Sequence, residues 1–262
     1  MAFQLINDQH LLDIKNLVDR IPTTENAEIA SRLAAIIDRI RSDIPEKRRI
    51  SIGRYSIVKT LGEELYPLLE DPFNFGVEIF ENPGDPFVRS LGLQLLSLWA
   101  LDKGGLGPVK EYFEAGAAEK EDWIVRECAA GLVRKLIEAF PDQVREWYLE
   151  MVLSTDPNLR RFVSESLRPV VKNRWFHKEP EYALGVIRHL FRESAPYPRT
   201  SVGNNLSDWM RVNQEIAWPI VEELAHNGDK NSYWIAYRAC RNLIRKEPTR
   251  VMDLLAIDEY TY

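Results

Sequence analysis

The chain has 262 residues, 45% of them hydrophobic, which is ample for a buried core and fits one large domain or an extended array. A formal net charge of −6 excludes a uniformly basic nucleic-acid binder. Two cysteines, Cys128 and Cys240, both inside helix-like apolar runs, exclude a disulfide framework and read as buried reduced thiols.

The charge is uneven along the chain. Residues 1–84 hold 10 Lys/Arg against 14 Asp/Glu, whereas 160–211 hold 10 bases against 5 acids and 230–250 hold 6 bases against 1 acid. Positive charge therefore gathers in the C-terminal half, and the stretch 251–262 is acidic. The first residues lack the pattern of a signal peptide, and no run approaches about 18 consecutive apolar residues. A soluble cytoplasmic protein with no membrane partner is expected.

In chain order, apolar residues recur at helical spacing, first Leu11, Ile14, Leu17, Val18 and Ile21, then Ile29, Leu33, Ile36, Ile37 and Ile40. Alternating strand patterns are missing. Short breaks rich in Pro, Gly, Asp and Asn separate the helical runs: IPTTEN, SDIPEK, ENPGDP, DKGGLG, FPDQ, STDPN, SAPYPR and AHNGDKNS. About a dozen helices joined by tight turns follow from this reading.

A repeat lies over the helices. Asp85–Arg89, Asp122–Arg126 and Asp156–Arg160 share the pattern D-x-x-[VL]-R at spacings of 37 and 34 residues, and weaker copies run over Ala195–Arg199 and Ser232–Ala236. Seven residues after each closing position stands an aliphatic residue: Leu96, Val133, Leu167, Leu206 and Leu243. Helices repeating at this period predict an all-α fold, a right-handed α-α superhelix (solenoid) of HEAT-like repeats. The expected layout is a single domain over 1–262, with N-terminal helices capping it over 1–84, five repeats over 85–250 and an acidic tail over 251–262.

The repeat stacks the residues into columns. Val88, Val125, Leu159, Pro198 and Ile235 form an apolar one, and Gly92, Ala129, Val163, Val202 and Ala239 a column of small packing residues. A polar column runs Ser90, Glu127, Arg161, Thr200, Tyr237 and, four residues on, Gln94, Gly131, Glu165, Asn204, Arg241. The next turn adds Lys135, Asp208 and Arg245. A solvated outer face is one account of this column. Against it stands composition, since Thr, Asn, Gly and Tyr are poorer helix formers than the Lys, Glu and Gln of ordinary solvated faces. The Asp of each repeat reads as an N-cap and its Arg as a tie between neighbours.

On these residues a resemblance appears. SVGNNLSD at 201–208 resembles the S-V-A-N-x-L-x-D segment of the DNA alkylation-repair glycosylases built from HEAT-like repeats, the AlkD and AlkC kind. DPNLRRFVSESLRP at 156–169 and YWIAYRACRNLIRK at 233–246 are similar to two further helices of that family, and the likeness covers roughly 85–250. Gly203 stands where the family has Ala, and Ser166 where it has Gly. The resemblance implies a monofunctional N-glycosylase that removes cationic 3-methyl or 7-methyl purines from double-stranded DNA, as a monomer, with no metal or cofactor.

By the same resemblance, the AlkD pattern of Trp followed by a catalytic acid falls on Trp123 and Glu127, with Glu in place of Asp. The AlkC pattern falls on Asp122, and the acid of the asparagine segment on Asp208. Asp122 reads equally as an N-cap, and Glu127 as a partner of Arg161. DNA contacts are expected from Trp123, Arg160, Arg161, Arg168, Thr200, Asn204, Trp234, Arg238, Arg241 and Arg245, with Lys172 and Arg174 in the same basic cluster. The alternative is a non-catalytic repeat protein binding unusual or branched DNA or a protein partner. The four histidines lack metal-ligand spacing, GGLG lacks the Lys-Ser/Thr of a P-loop, and no nucleophile elbow exists.

Overall fold

The computed structural model describes residues 4–170 and 174–261. Among them every regular element is helical, and no helix is long and apolar enough to cross a membrane. The chain divides into two compact units, Met1–Ala139 and Phe140–Tyr262.

In the first unit α1 (Asp8–Val18), α2 (Asn26–Asp43), the short α3 (Glu46–Arg49) and α4 (Arg54–Leu65) precede α5 (Pro72–Glu81) and α6 (Pro86–Lys103). The unit closes with α7 (Lys110–Ala118), α8 (Trp123–Leu132) and α9 (Arg134–Ala139). The second unit holds α10 (Pro141–Met151), α11 (Pro157–Ser166), α12 (Arg174–Lys178), α13 (Pro180–Ile187), α14 (Pro196–Val212), α15 (Gln214–His226), α16 (Lys230–Ala239) and α17 (Pro248–Leu255). Several apolar runs that read as one helix are two, which raises the helix number above the dozen expected. The run 123–139 breaks at Val133. Likewise α16 ends at Ala239, so that Arg241 lies on the following turn and Arg245 in a 3-10 turn.

The columns read from the repeat are real. Val88, Val125 and Ile235 are buried, as are all five small packing residues and all five aliphatics from Leu96 to Leu243. The polar column is not a uniformly solvated face: Ser90, Gln94, Arg161 and Glu165 are buried along it, Glu127, Thr200, Asn204, Tyr237 and Arg241 are half-buried, and Lys135 and Arg245 of the next turn are exposed.

The D-x-x-x-R unit acts as a staple. Its Asp caps the helix that follows: Asp85 accepts from the amides of Phe87 and Val88, Asp122 from Ile124 and Asp156 from Asn158. The closing Arg reaches backward to carbonyls and forward to the next repeat. Arg89 donates to Phe80 O and to Glu119, and Arg160 to Ser154 O and to Glu193, each carboxylate at 2.6 Å. In the degenerate fourth copy Arg199 donates to Asn231, at the start of α16.

Close backbone approach sets where helices cross. A Cβ on Gly92 of α6 would meet the carbonyl oxygen of Gly76 at 2.5 Å and the Phe80 amide at 2.8 Å, both on α5. Backbone cannot yield there as a side-chain tip can. Gly92→Ala should therefore lower stability by about 1–3 kcal/mol in urea unfolding. Gly185→Ala, inside α13 with only an Arg145 guanidinium atom at 3.9 Å, should instead raise it by about 0.4–1 kcal/mol.

The staples also set a pH dependence. Burial alone would raise the carboxyls of Glu119 and Glu193. The hydrogen bonds from Arg89 and Arg160, backbone amides and the arginine charges outweigh it and hold both below the ordinary glutamate value. A depressed folded-state value contributes stability that is complete above the ordinary value and lost as pH falls through the folded one. Stability should thus decline below about pH 4.5, and Glu193→Gln should shrink that decline in unfolding curves taken at successive pH values.

Candidate nucleic-acid interface

In the first unit the expected residues fall at the start of α8. Trp123 is its first residue and stands 61% exposed, an unusual setting for an indole. Asp122, half-buried, caps the helix through the Ile124 amide at 3.0 Å, so the N-cap reading of that residue is correct as far as it goes. Glu127, half-buried, lies one turn above Trp123 on the same face. Burial pushes the thiol of neighbouring Cys128 up to about 11.

In the second unit α11, α14 and α16 lie side by side and carry most of the other residues. Asp208 of α14 is 5% exposed. Its Oδ2 accepts from both Nε and Nη2 of Arg168 at 2.7 Å, and its Oδ1 from Arg211 at 3.3 Å. Arg168 also donates to Glu165 Oε1 at 2.7 Å, while Glu165 Oε2 accepts from Ser201 at 3.1 Å and pairs with Arg161 at 3.8 Å. Arg168 can turn this way because α11 stops at Ser166: the residue before Pro169 is steered out of helical geometry.

The asparagines of α14 each tie a neighbouring helix. Asn204 accepts from Arg238 Nε of α16 at 3.0 Å, and Asn205, fully buried, donates to the Ser164 carbonyl of α11 at 2.7 Å. Gly203 completes the pair, because a Cβ there would meet Cγ and Cβ of Arg238 at 2.6 and 2.7 Å. The Arg238 side chain runs directly over it. Asn242 reaches back to Ser207 at 3.1 Å.

Positive charge remains in surplus. Five arginines, Arg161, Arg168, Arg211, Arg238 and Arg241, stand with two carboxylates of α11 and α14, Glu165 and Asp208, apart from the acids of the segment after α17. Arg241 has a buried Nε with no hydrogen-bond partner, and burial followed by the charges of Arg238 and Arg168 pushes its guanidinium below its usual value. An anion beside it would relieve both strains.

The other expected contacts are placed as follows. Arg160 is engaged in its staple with Glu193, and Thr200, half-buried, donates to Pro196 O of its own helix at 2.7 Å. Trp234, also half-buried, has Arg199 over its ring at 4.5 Å. Arg245 is exposed. Lys172 and the side chain of Arg174 lie outside the described residues. Arg211, Ser201 and Asn242 were not singled out from the sequence. Only the helical offset of Arg211 from Asp208 pointed to the first of them.

Removing one partner of a buried pair leaves the other charge stranded. Asp208→Asn should cost about 3 kcal/mol, the lower end for such pairs because Arg168 keeps some water contact. Equilibrium urea unfolding measures it, and Arg211→Ala, on the exposed side of the same carboxylate, should cost about 1 kcal/mol or less.

No family model and no curated protein matches the sequence. Among solved structures the chain is similar to the Pseudomonas fluorescens alkylpurine DNA glycosylase AlkC bound to DNA containing an abasic-site analogue. The identity is 20% and the TM-score 0.54, over 97% of this chain and 69% of that one. At that identity the likeness is one of fold, and the protein has the all-α, HEAT-like architecture of that glycosylase.

Proposed function

We propose that this protein is a monofunctional DNA N-glycosylase that excises cationic alkylated purines from duplex DNA. The observation that carries the reading is Trp123, an indole left 61% exposed at a helix start with an acid before it and another one turn above. The fold shared with an alkylpurine glycosylase supports it, as does the arginine surplus on the α11, α14 and α16 surface.

The chemistry follows from charge. An N-alkylated purine is already a cationic leaving group and needs no protonation. The protein has to hold it and to stabilise the oxocarbenium-like sugar as the bond breaks. Trp123 offers a ring face to the cationic base. Asp122 or Glu127 offers a carboxylate for the sugar and for positioning water. Arg238 and Arg241, with Asn204 and Arg245, would hold phosphates, which fix register and carry no sequence information. No metal or cofactor enters this scheme.

The second reading, a repeat protein that binds DNA or a protein without chemistry, is favoured by one observation. Both oxygens of Asp208 are engaged by arginines, which suits a structural carboxylate as well as a reacting one.

The assay is release of 3-methyladenine and 7-methylguanine from alkylated duplex DNA, at substoichiometric and at excess protein. Release is expected. Replacement of the catalytic carboxylate, tested as Asp122→Asn, Glu127→Gln and Asp208→Asn, should lower its rate by about 100-fold or more. Trp123→Ala should lower it by roughly 3- to 30-fold through the lost cation–π contact. No release at excess protein, with duplex binding retained, overturns the enzyme and leaves the second reading.

A further inference from the structure

Residues 256–261 fold back onto the end of α16 in a way that packing alone does not ask for. Ala256 takes a left-handed conformation, φ 52°, which non-glycine residues rarely adopt, and so turns the chain around after α17. Tyr260 then lies flat on Tyr237, with ring centroids 4.2 Å apart and planes within 7°. Three hydrogen bonds lock the pair. Tyr260 Oη donates to the Tyr237 carbonyl at 2.7 Å, Tyr237 Oη donates to the Thr261 carbonyl at 2.7 Å, and the Thr261 amide donates to Tyr237 Oη at 2.8 Å. The carbonyl of Tyr237 lies in the last turn of α16, where it also accepts from the Cys240 amide at 3.2 Å.

The occupied position is not neutral ground. Tyr237 stands in the polar column of the repeats, next to Arg238 and shortly before Arg241. Asp258 and Glu259, both exposed, bring two negative charges with the stacked ring. A flat ring stacked face to face beside negative charge near arginines is what a nucleotide would present there.

We propose that residues 257–261 form a latch that occupies this face in place of nucleic acid, so that latch and DNA exclude one another. This rests on the reading of the α11, α14 and α16 surface as a DNA interface. The latch holds a sequence-independent phosphate and stacking position and raises the affinity threshold for binding.

The test is duplex binding by fluorescence anisotropy at fixed low salt, comparing the full chain with Tyr260→Ala, Tyr260→Phe and the pair Asp258→Asn/Glu259→Gln. Tyr260→Ala should bind about fivefold tighter or more, the lower bound of one aromatic stack. Tyr260→Phe, which keeps the stack, should bind less tightly than Tyr260→Ala. The exposed acidic pair can be changed without disturbing packing, and its removal should also tighten binding, with the gain shrinking as salt rises. Hydrogen exchange adds a direct readout: the Thr261 amide should lose protection when duplex saturates the full chain. Binding by the full chain with all variants unchanged or weaker overturns the latch alone. Absence of binding by every form overturns the DNA reading and the latch with it.

Discussion

The second unit is organised around one buried carboxylate, Asp208, and the guanidinium of Arg168 that converges on its Oδ2. Neither charge is stable there alone, since each would have left water without compensation. The pair in turn demands Glu165, which takes the remaining side of Arg168 and is itself held by Ser201. A network closed in this way fixes the registration of α11 against α14 more tightly than apolar contacts can. Interdigitated Val and Leu side chains tolerate small slips, whereas hydrogen bonds of 2.7 Å between charged groups do not.

Around that knot the repeat provides regularity and the polar column provides variation. In the three full copies Asp at the helix start and Arg four residues later satisfy local backbone groups, and Arg89, Arg160 and, in the fourth copy, Arg199 also bind the next repeat, so successive helices can be added without new inventions. With packing secured by the apolar and small columns, the polar positions are free to differ. They read Ser and Gln on α6, Arg and Glu on α11, Thr and Asn on α14. On α6 the polar side chains are turned inward, Gln94 lying against Gly62. On α14 Asn204 meets Arg238 of α16, and one turn on Asp208 meets Arg168, which follows α11. The same repeat position is thus packing in one unit and charge management in the other.

Much of this was legible in the sequence because repeated positions report on themselves. The caps, the buried columns and the breaks at Pro and Gly follow from local rules that need no knowledge of partners. What stayed hidden depends on partners 34 to 41 residues away in the chain, such as Arg238 on Asn204 and Asn205 on Ser164. Nothing in 201–208 alone says that Gly203 is small because Arg238 crosses it. Helix ends were hidden for a related reason: apolar spacing continues through 240–246, and only the turn geometry shows that Arg241 and Arg245 leave the helix. At the start of α8 the sequence left Asp122 between cap and catalyst. The geometry makes it a cap without removing it from reach of chemistry, because one carboxylate oxygen holds the Ile124 amide and the indole beside it stands open.

The composition of α14 follows from these constraints together. A helix of 17 residues with Gly203, Asn204 and Asn205 at its centre has poor intrinsic stability. Lys, Glu or Gln would raise propensity at each position and fail for a different reason at each. At 203 any side chain would collide with Arg238. Position 204 must offer an acceptor short enough to hold that guanidinium at 3.0 Å, and 205, fully buried, has room for an amide that bonds a neighbouring carbonyl and no room for a solvated charge. Local helix stability is exchanged for cross-helix bonds that leave Arg238 and Arg241 side by side, their repulsion offset only in part by Asp208. A surface holding that arrangement is poised for an anion, and both the acidic segment folded over Tyr237 and a DNA backbone meet the description.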